Sequence, residues 1–167
     1  MDKYSVCVGA TVYNEQNKQI ARDVDIKLPA ATMQTVDLKA LGTISVPVAQ
    51  LLDDMEMTIT HIGENSGLFE TLKPGSHKIE VRWAREVFDA NGNAKTIGCR
   101  AALTVMPKVI APELQITVGE NTECEVPLSV SRYKLYVDGK EKLLIDKFKG
   151  ICKIDGKDYG AQVASVL

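Results

Sequence analysis

The stretch YKLYVDGKEKLLIDKFKGICKIDG, from Tyr133 to Gly156, decides the fold class of this chain. Short runs of apolar and aromatic residues are interrupted by two Asp-Gly pairs, Asp138-Gly139 and Asp155-Gly156. Asp-Gly is typical of two-residue β-hairpin turns because both residues tolerate a positive φ. The stretch therefore predicts strands that turn back tightly on one another.

The segment before it, CEVPLSVSRYKLYV, alternates between apolar and polar residues in two phases. The apolar residues are Val126, Leu128 and Val130 in the first phase, and Tyr133, Leu135 and Val137 in the second. Side chains alternate between the two faces of a strand, so a change of phase without a turn requires an extra residue. We predict a β-bulge or bend near Ser131.

Upstream segments also have strand character. ATVYN and ARDVDIKLP flank the polar EQNKQ and predict a hairpin, in whose second arm Val24, Ile26 and Leu28 alternate with charged residues until Pro29. The pair Asn91-Gly92 predicts another hairpin with a primed turn. The stretch from Ala30 to Gly42 is interpreted as a long loop with little regular structure, a candidate interaction arm.

Two segments between residues 43 and 76 contain helix signals in addition to strand-like alternation. In TISVPVAQLLDDMEMTITHIG, Ser45 before Pro47 could begin a short helix, whereas the alternation favours an extended run from about Glu56 to Ile62. NSGLFETLKPG predicts one short helix over Gly67 to Leu72, capped by Asn65 or Ser66 and ended by Pro74-Gly75.

No βαβ alternation is visible. We therefore expect a single mainly β domain over residues 1–167, an antiparallel β-sandwich or partial barrel with one short α-helix.

The composition is that of an ordinary globular protein, with 45% hydrophobic and 25% charged residues among 167. A net charge of −2 argues against a dedicated nucleic-acid-binding protein. The N-terminus has no recognisable signal peptide, and no apolar run approaches the ~20 residues that span a bilayer, so we expect no membrane insertion by the monomer. The four cysteines are widely spaced and predict reduced, mostly buried thiols: Cys7, Cys99, Cys124 and Cys152.

Catalytic motifs are scarce. The only histidines are His61, which lies in an alternating run, and His77, which follows a Pro-Gly turn. Asp53 and Asp54 are adjacent, and neighbouring residues on an extended chain point to opposite faces, so they do not form a natural acid pair. Phosphate-loop, nucleophile-elbow and dinucleotide motifs are absent from the sequence. We expect a protein that is not an enzyme, with no cofactor, no catalytic residue and no metal site.

The C-terminal stretch VPLSVSRYKLYVDGKEKLLIDKFKGICKIDGKD resembles the corresponding region of the major tail tube proteins of contractile-tailed bacteriophages. Its most specific part is YKLYVDG, followed by a branched apolar strand and the turn Asp155-Gly156. Upstream, VDIKLPAAT, LLDDMEMTITHIG, the short helix and the FDANGNAK hairpin occur in the order found in that family. The resemblance also extends to the tubes of R-type bacteriocins.

The resemblance implies a hexameric ring with a continuous β-lined channel, and rings that stack helically into a rigid tube within a contractile sheath. It implies sheath, baseplate or tail-tip, and tail-terminator proteins as partners, with a tape-measure protein in the lumen during assembly. DNA would transit a phage tube without specific binding, and a bacteriocin tube would pierce an envelope. Assembly would occur in the bacterial host cytoplasm, and the product would be a virion tail or a released particle.

For such an assembly, sheet edges left open in one subunit could be paired by the next. Besides the loop over 30–42, we expect contacts from the C-terminal tail, Ala161 to Leu167. The candidate interface residues are Val36, Leu38, Leu41, Leu135, Val137, Leu144, Val163, Val166 and Leu167. Because each neutralised phosphate strengthens salt-sensitive DNA binding, we expect a channel that is neutral or acidic.

Two alternatives remain open at this point. The chain could be the tube subunit of a related secretion system. It could also be a stand-alone β-sandwich binding module, although such a module would favour an exposed aromatic platform, and Trp83 is the single tryptophan.

Overall fold

The computed structural model describes residues 4–22, 25–62 and 66–167. Val24 and Asn65 lie outside the described residues, as do the side chains of His61 and Leu68. The elements are β1 Tyr4–Tyr13, β2 Gln19–Arg22, β3 Asp25–Lys27, β4 Met33–Ala40, β5 Gly42–Leu52, β6 Met55–Ile62, α1 Ser66–Thr71, β7 His77–Phe88, β8 Ala94–Pro107, β9 Leu114–Gln115, β10 Glu123–Val137, β11 Lys140–Asp146, β12 Ile151–Ile154, β13 Lys157–Asp158 and α2 Ala161–Val166.

Eleven of these strands form one antiparallel sheet. Its main path runs β13-β12-β11-β10-β8-β7-β1-β2, and β6 and β9 also pair with β10, while β3 pairs with β6. The remaining two strands, β4 and β5, form a separate hairpin. The described part of the chain is thus mainly β with antiparallel pairing, as the sequence predicts.

Strand β10 connects the two halves of the sheet because its partners change along its length. Its first half, Glu123 to Val130, pairs with β6, and its second half, Arg132 to Val137, pairs with β11 on the same edge. The opposite edge pairs with β9 and then β8. The register shifts between Val130 and Arg132, which confirms the bulge predicted near Ser131. The bulge bends the strand and lets the sheet fold over itself.

The core lies between the folded halves of the sheet. Fully buried side chains from β6 and β10, including Met57, Val126 and Leu128, meet Val12 of β1 and Val81 of β7 in one cluster. Ile26 and Leu28 pack partly against it, in agreement with the predicted alternation. The molecule is therefore a partial barrel closed around one hydrophobic core.

The two Asp-Gly turns have the geometry predicted for them. Asp138 and Gly139 have φ of 51° and 75°, and Asp155 and Gly156 have φ of 50° and 87°. Each pair connects strands whose flanking residues are directly paired. Both are two-residue turns in which two successive residues occupy the left-handed region.

The hairpin around Asn91-Gly92 exists, but the predicted primed turn is wrong. Strands β7 and β8 are joined through residues 89–93, and Gly92 has a positive φ of 81° while Asn91 does not. The Asp89 carboxylate accepts the backbone N–H groups of Asn91 and Asn93, at 2.8 and 2.9 Å. Hydrogen bonds from the backbone and side chain of Asn93, and to a smaller extent from the backbone of Asn91, lower the pKa of Asp89 below its usual value. Asp89 therefore organises a five-residue loop, and a two-residue turn is not needed.

The long loop predicted over residues 30–42 is also wrong. Residues 33–40 and 42–52 form the β4–β5 hairpin, named here the arm, with Leu41 as its single connecting residue. Gly42 makes this turn possible with a φ of 98°. Pro47, which suggested a helix start, lies within β5, where an edge position tolerates a residue without an N–H group. The extended segment predicted from Glu56 to Ile62 is confirmed as β6.

The described residues contain two short helices, one more than predicted. Helix α1 corresponds to the predicted helix, and α2 covers the C-terminal tail. Within the described chain, no helix is long and apolar enough to cross a membrane. Cys7, Cys99 and Cys152 are free thiols, of which Cys99 is buried, Cys152 is partly buried and Cys7 is exposed, and Cys124 is also buried.

Candidate assembly surfaces

The arm carries an unpartnered apolar face. Cross-strand pairs Val36–Val46 and Leu38–Ile44 lie on one face, and Asp37–Ser45 and Lys39–Thr43 lie on the other. Every residue of β4 is exposed. A two-stranded hairpin with one apolar and one polar face is marginally stable on its own and is normally covered by another layer.

Among the described residues, hydrogen bonds join the arm to the body at its base. The Asp53 N–H donates to the Thr32 carbonyl oxygen at 2.9 Å, and the Lys147 ammonium donates to the Asp53 carbonyl oxygen. Gln50 Nε2 donates to the Tyr159 carbonyl oxygen at 3.2 Å. Past this base, the arm projects away from the barrel.

A groove of about 470 Å³ opens where the arm meets the body. Leu51 and Leu52 of β5 form one wall, Ile145 and Ile151 of the β11–β12 hairpin form another, and α2 closes the third side. A methyl group at Gly160, the residue before α2, would collide with the carbonyl oxygen of Gly150. The absence of a side chain at Gly160 therefore allows α2 to lie close against this hairpin.

In the part of the chain that the structure describes, strand β1 has a free edge along most of its length. Its other edge pairs with β7 from Tyr4 to Tyr13, whereas β2 pairs only with its last three residues, Thr11 to Tyr13. Within the described residues, the backbone from Tyr4 to Ala10 therefore lacks a sheet partner on this side. The segment contains no charge, proline or lysine, which are the usual means of blocking an edge strand.

The side chains around this edge are apolar and exposed. Tyr4, Val6 and Val8 are each more than half exposed. On the neighbouring strand, the buried Nε of Arg85 has no hydrogen-bond partner within the described residues. A buried donor without an acceptor costs free energy, so Arg85 places an unpaired polar group beside this edge.

Four long strands of the main sheet, β1, β7, β8 and β10, present a broad polar face away from the core. Register places alternate residues of the four strands on this face. Where β7 and β8 run beside the second half of β10, its charged residues are the cations Lys78, Arg82, Arg100, Arg132 and Lys134, and the anions Glu80 and Glu86, with Glu141 of β11 ion-paired to Lys134. Cations therefore predominate on this face although the whole chain has a net charge of −2.

Arg82 and Arg100 lie directly opposite each other on β7 and β8. Each guanidinium instead stacks on a tyrosine, Arg82 at 4.3 Å from the Tyr13 ring centroid and Arg100 at 4.3 Å from that of Tyr136. Arg82 also pairs with the Glu80 carboxylate, and this hydrogen bond raises its pKa. The hydrogen bond from Lys134 to Tyr136 likewise raises the pKa of Lys134. These contacts separate two like charges that would otherwise repel across the strands.

The predicted interface residues divide into two groups. Leu144 is buried and Leu135 packs against the core, while Val137 is partly buried beside them. The exposed members lie in the arm, in α2 and at the residue after α2: Val36, Leu38, Leu41, Val163, Val166 and Leu167. The second group is therefore accessible to another molecule, whereas the first serves the fold of this chain.

The described residues contain no group of three or more His, Cys, Asp or Glu side chains that could hold a metal ion. The His77 ring is hydrogen-bonded to a residue close to it in the chain, because its Nε2 lies 2.6 Å from the Lys73 carbonyl oxygen. The free β1 edge was missed by sequence reasoning. The uncharged run YSVCVGA was its visible signal, but an edge strand is recognised only when its pairing is known.

The sequence profile of the phage tail tube protein FII family matches residues 6–167. No curated protein has a sequence that matches this chain. Two solved chains share the fold at low identity, both from an extracellular contractile injection system in its extended state. One, from the PVC sheath–tube complex, has a TM-score of 0.51 and 11% identity, covering 76% of this chain and 87% of its own length. The other, from the PVC sheath/tube terminator, has a TM-score of 0.54 and 12% identity, covering 80% and 98%. Since the family profile spans nearly all of the sequence, this chain belongs to the phage tail tube protein FII family.

Proposed function

We propose that the chain is a structural subunit, without catalytic activity, of hexameric rings that stack into the inner tube of a contractile injection tail. The observation that carries the proposal is the free, uncharged β1 edge from Tyr4 to Ala10. Pairing of this edge with a strand of the next copy extends the sheet around the ring. The contact is heterologous, and it closes when successive rotations complete a circle.

The polar face of the four long strands is proposed to line the channel. Strands joined by hydrogen bonds are spaced ~4.8 Å apart, so four strands from each of six copies give a circumference of about 115 Å. The corresponding diameter is about 37 Å between backbones, and strand tilt increases it. In this arrangement, the half of the sheet that contains β3 and β6 lies farther from the tube axis than the four long strands.

This assignment gives the channel more cations than anions, contrary to the neutral or acidic channel expected from the net charge. Duplex DNA would contact such a wall through its phosphates, weakly and without sequence preference. The conduit could carry DNA in a phage tail or open a path through an envelope in a bacteriocin. In either case the proposed partners are a sheath around the tube, baseplate and terminator proteins at its ends, and a tape-measure protein within it during assembly.

Electron microscopy of the purified protein over a range of concentrations tests the proposal. Hollow rings or tubes are the expected result, and cryo-EM maps should show β1 of each copy paired with a strand of its neighbour. The double substitution Val6→Lys, Val8→Lys should prevent ring formation, because lysines on an edge strand discourage pairing. Val118→Lys, at a fully exposed position in the β9–β10 connection, serves as the matched control.

Two results would contradict the proposal. The first is a map of native tubes in which every sheet ends against water with no strand continuing into another copy. The second is normal ring formation by the Val6→Lys, Val8→Lys variant. A stand-alone binding module would instead remain monomeric at all concentrations.

A further inference from the structure

We propose that a depression in the polar face of the four long strands binds a phosphate group, either of a free phosphate compound or of a nucleic-acid backbone. The depression has a volume of about 310 Å³ and includes Ala102 of β8 in its lining. It is formed within one chain, so the proposal goes beyond the tube function and does not depend on it.

The sheet register places Ala102 at the centre of a three-by-three grid of side chains on this face. Ala102 pairs with Glu80 on β7 and with Lys134 on β10. The rows on either side of it are Lys78–Thr104–Arg132 and Arg82–Arg100–Tyr136. Neighbouring strands are ~4.8 Å apart, so the grid is about 10 Å wide from β7 to β10. A single methyl group among much longer side chains leaves a hollow with charged groups at its rim.

The rim of the hollow is cationic. Its lining contains four cations and one anion: Lys78, Arg100, Arg132, Lys134 and Glu80. The anion does not balance these cations, because the Glu80 carboxylate is ion-paired with Arg82, outside the lining. Lys134 is itself paired with Glu141, at 3.5 Å.

The other three cations of the rim have no carboxylate partner. Within the described residues, Lys78, Arg100 and Arg132 form no ion pair. Asp146 lies opposite Arg132 in the register of β10 and β11, but its carboxylate accepts the backbone N–H of Lys149, at 3.1 Å. Like charges on neighbouring strands repel, so an anion held between them stabilises the arrangement.

The donors favour a phosphate group over a base as the ligand. Guanidinium groups donate two parallel hydrogen bonds to phosphate oxygens, and Arg100 and Arg132 lie on adjacent strands of the rim. Tyr136 is the aromatic residue of the grid, and its ring centroid lies 4.3 Å from the Arg100 guanidinium and 5.1 Å from the Lys134 ammonium. A ring engaged by cations is a poor platform for base stacking. We therefore expect binding that depends on phosphate and not on base identity.

Calorimetric titration with two probes, tripolyphosphate and a single-stranded oligothymidylate, tests the proposal. Both probes should bind saturably, compete with each other and bind more weakly as the salt concentration rises. The double substitution Lys78→Gln, Arg132→Gln should weaken the binding of each probe about 100-fold, because each lost hydrogen bond to a charged group costs about a factor of ten.

The matched control is Lys27→Gln, Lys39→Gln, which removes two exposed cations on other strands and changes the net charge equally. It should change the affinity by less than about threefold. Ala102→Glu is a second variant, which retains every cation and places a carboxylate in the hollow. It should abolish the binding of both probes, whereas Ala102→Ser should not. Urea unfolding verifies that each variant is folded.

The two probes distinguish the sources of the phosphate group. Tighter binding of tripolyphosphate would assign the site to free phosphate compounds, and tighter binding of the oligonucleotide would assign it to nucleic acid. Three results would overturn the proposal: no saturable binding of either probe, an equal loss of affinity in the Lys27→Gln, Lys39→Gln control, or equally tight binding of polyglutamate. None of them bears on the tube function, which electron microscopy of the unmodified protein tests separately.

Discussion

The apolar face of the arm makes a quantitative prediction. Val36, Leu38 and Ile44 are 45%, 53% and 53% exposed in the single chain. Complete burial of such a side chain stabilises by about 1.5–3 kcal/mol, so covering the exposed half contributes about 1 kcal/mol for each residue. Replacing all three with serine should therefore weaken assembly by about 3 kcal/mol per arm. At 1.4 kcal/mol per factor of ten, the critical concentration for tube formation should rise about 100-fold.

The same substitutions should hardly affect the subunit itself. Exposed positions outside the core change the free energy of unfolding by about 0.5 kcal/mol or less each. Urea unfolding of the monomer measures the effect on subunit stability. Sedimentation or light scattering over a concentration series measures the effect on assembly, as the critical concentration for tube formation. The control variant changes Asp37 and Lys39, on the polar face of the same arm, to serine.

Assembly of the triple-serine variant within about threefold of the unmodified critical concentration would show that the apolar face is not buried in the tube. Equal impairment of the control variant would show that the effect belongs to the arm as a whole and not to its apolar face. A large loss of monomer stability would show that the face is covered within the subunit.

Further expectations concern the core, the turns, the edge and the channel. Leu128→Ala removes a fully buried side chain and should lower the free energy of unfolding by about 2–5 kcal/mol in urea titrations, whereas Val118→Ala should have little effect. Gly139→Ala places a side chain at a φ of 75° and should cost about 1–2 kcal/mol, measured in the same way. The Cys7 thiol should react readily with a maleimide in the monomer and be protected in tubes, and equal labelling rates would argue against pairing of the β1 edge. Arg100→Gln should weaken retention of duplex DNA by assembled tubes and reduce its salt dependence, and an unchanged salt dependence would argue against a channel position for Arg100.

Local signals explain which features could be predicted from the sequence. The Asp138-Gly139 and Asp155-Gly156 turns depend on the conformational preferences of two adjacent residues. The bulge near Ser131 follows from a change of phase within one strand, which is visible without knowledge of its partners. The resemblance to tail tube proteins depended on the same C-terminal stretch.

The predictions that failed concern two connections between strands whose form is not decided by the conformational preferences of the connecting residues alone. The arm contains the alternation Val36-Asp37-Leu38-Lys39, but its connection through Leu41 and Gly42 lacks a strong turn dipeptide. Asn91-Gly92 has such a dipeptide, yet hydrogen bonds to Asp89 favour a longer loop. In both cases a few local interactions with similar free energies compete, and the sequence pattern does not reveal which prevails.

By itself, the sequence determined the antiparallel β class, the position of the tight turns and the bulge, because these features arise from interactions between near neighbours in the chain. Only the tertiary structure decided that β1 keeps a free edge, that the arm projects with an uncovered apolar face, and that cations collect on one face of the long strands. The cationic face consists of residues far apart in the sequence, and whether the β1 edge and the arm are covered depends on elements distant from them in the chain. The pairing of distant strands, and not the preference of any single segment, determines which backbone groups and side chains are left for a neighbouring molecule.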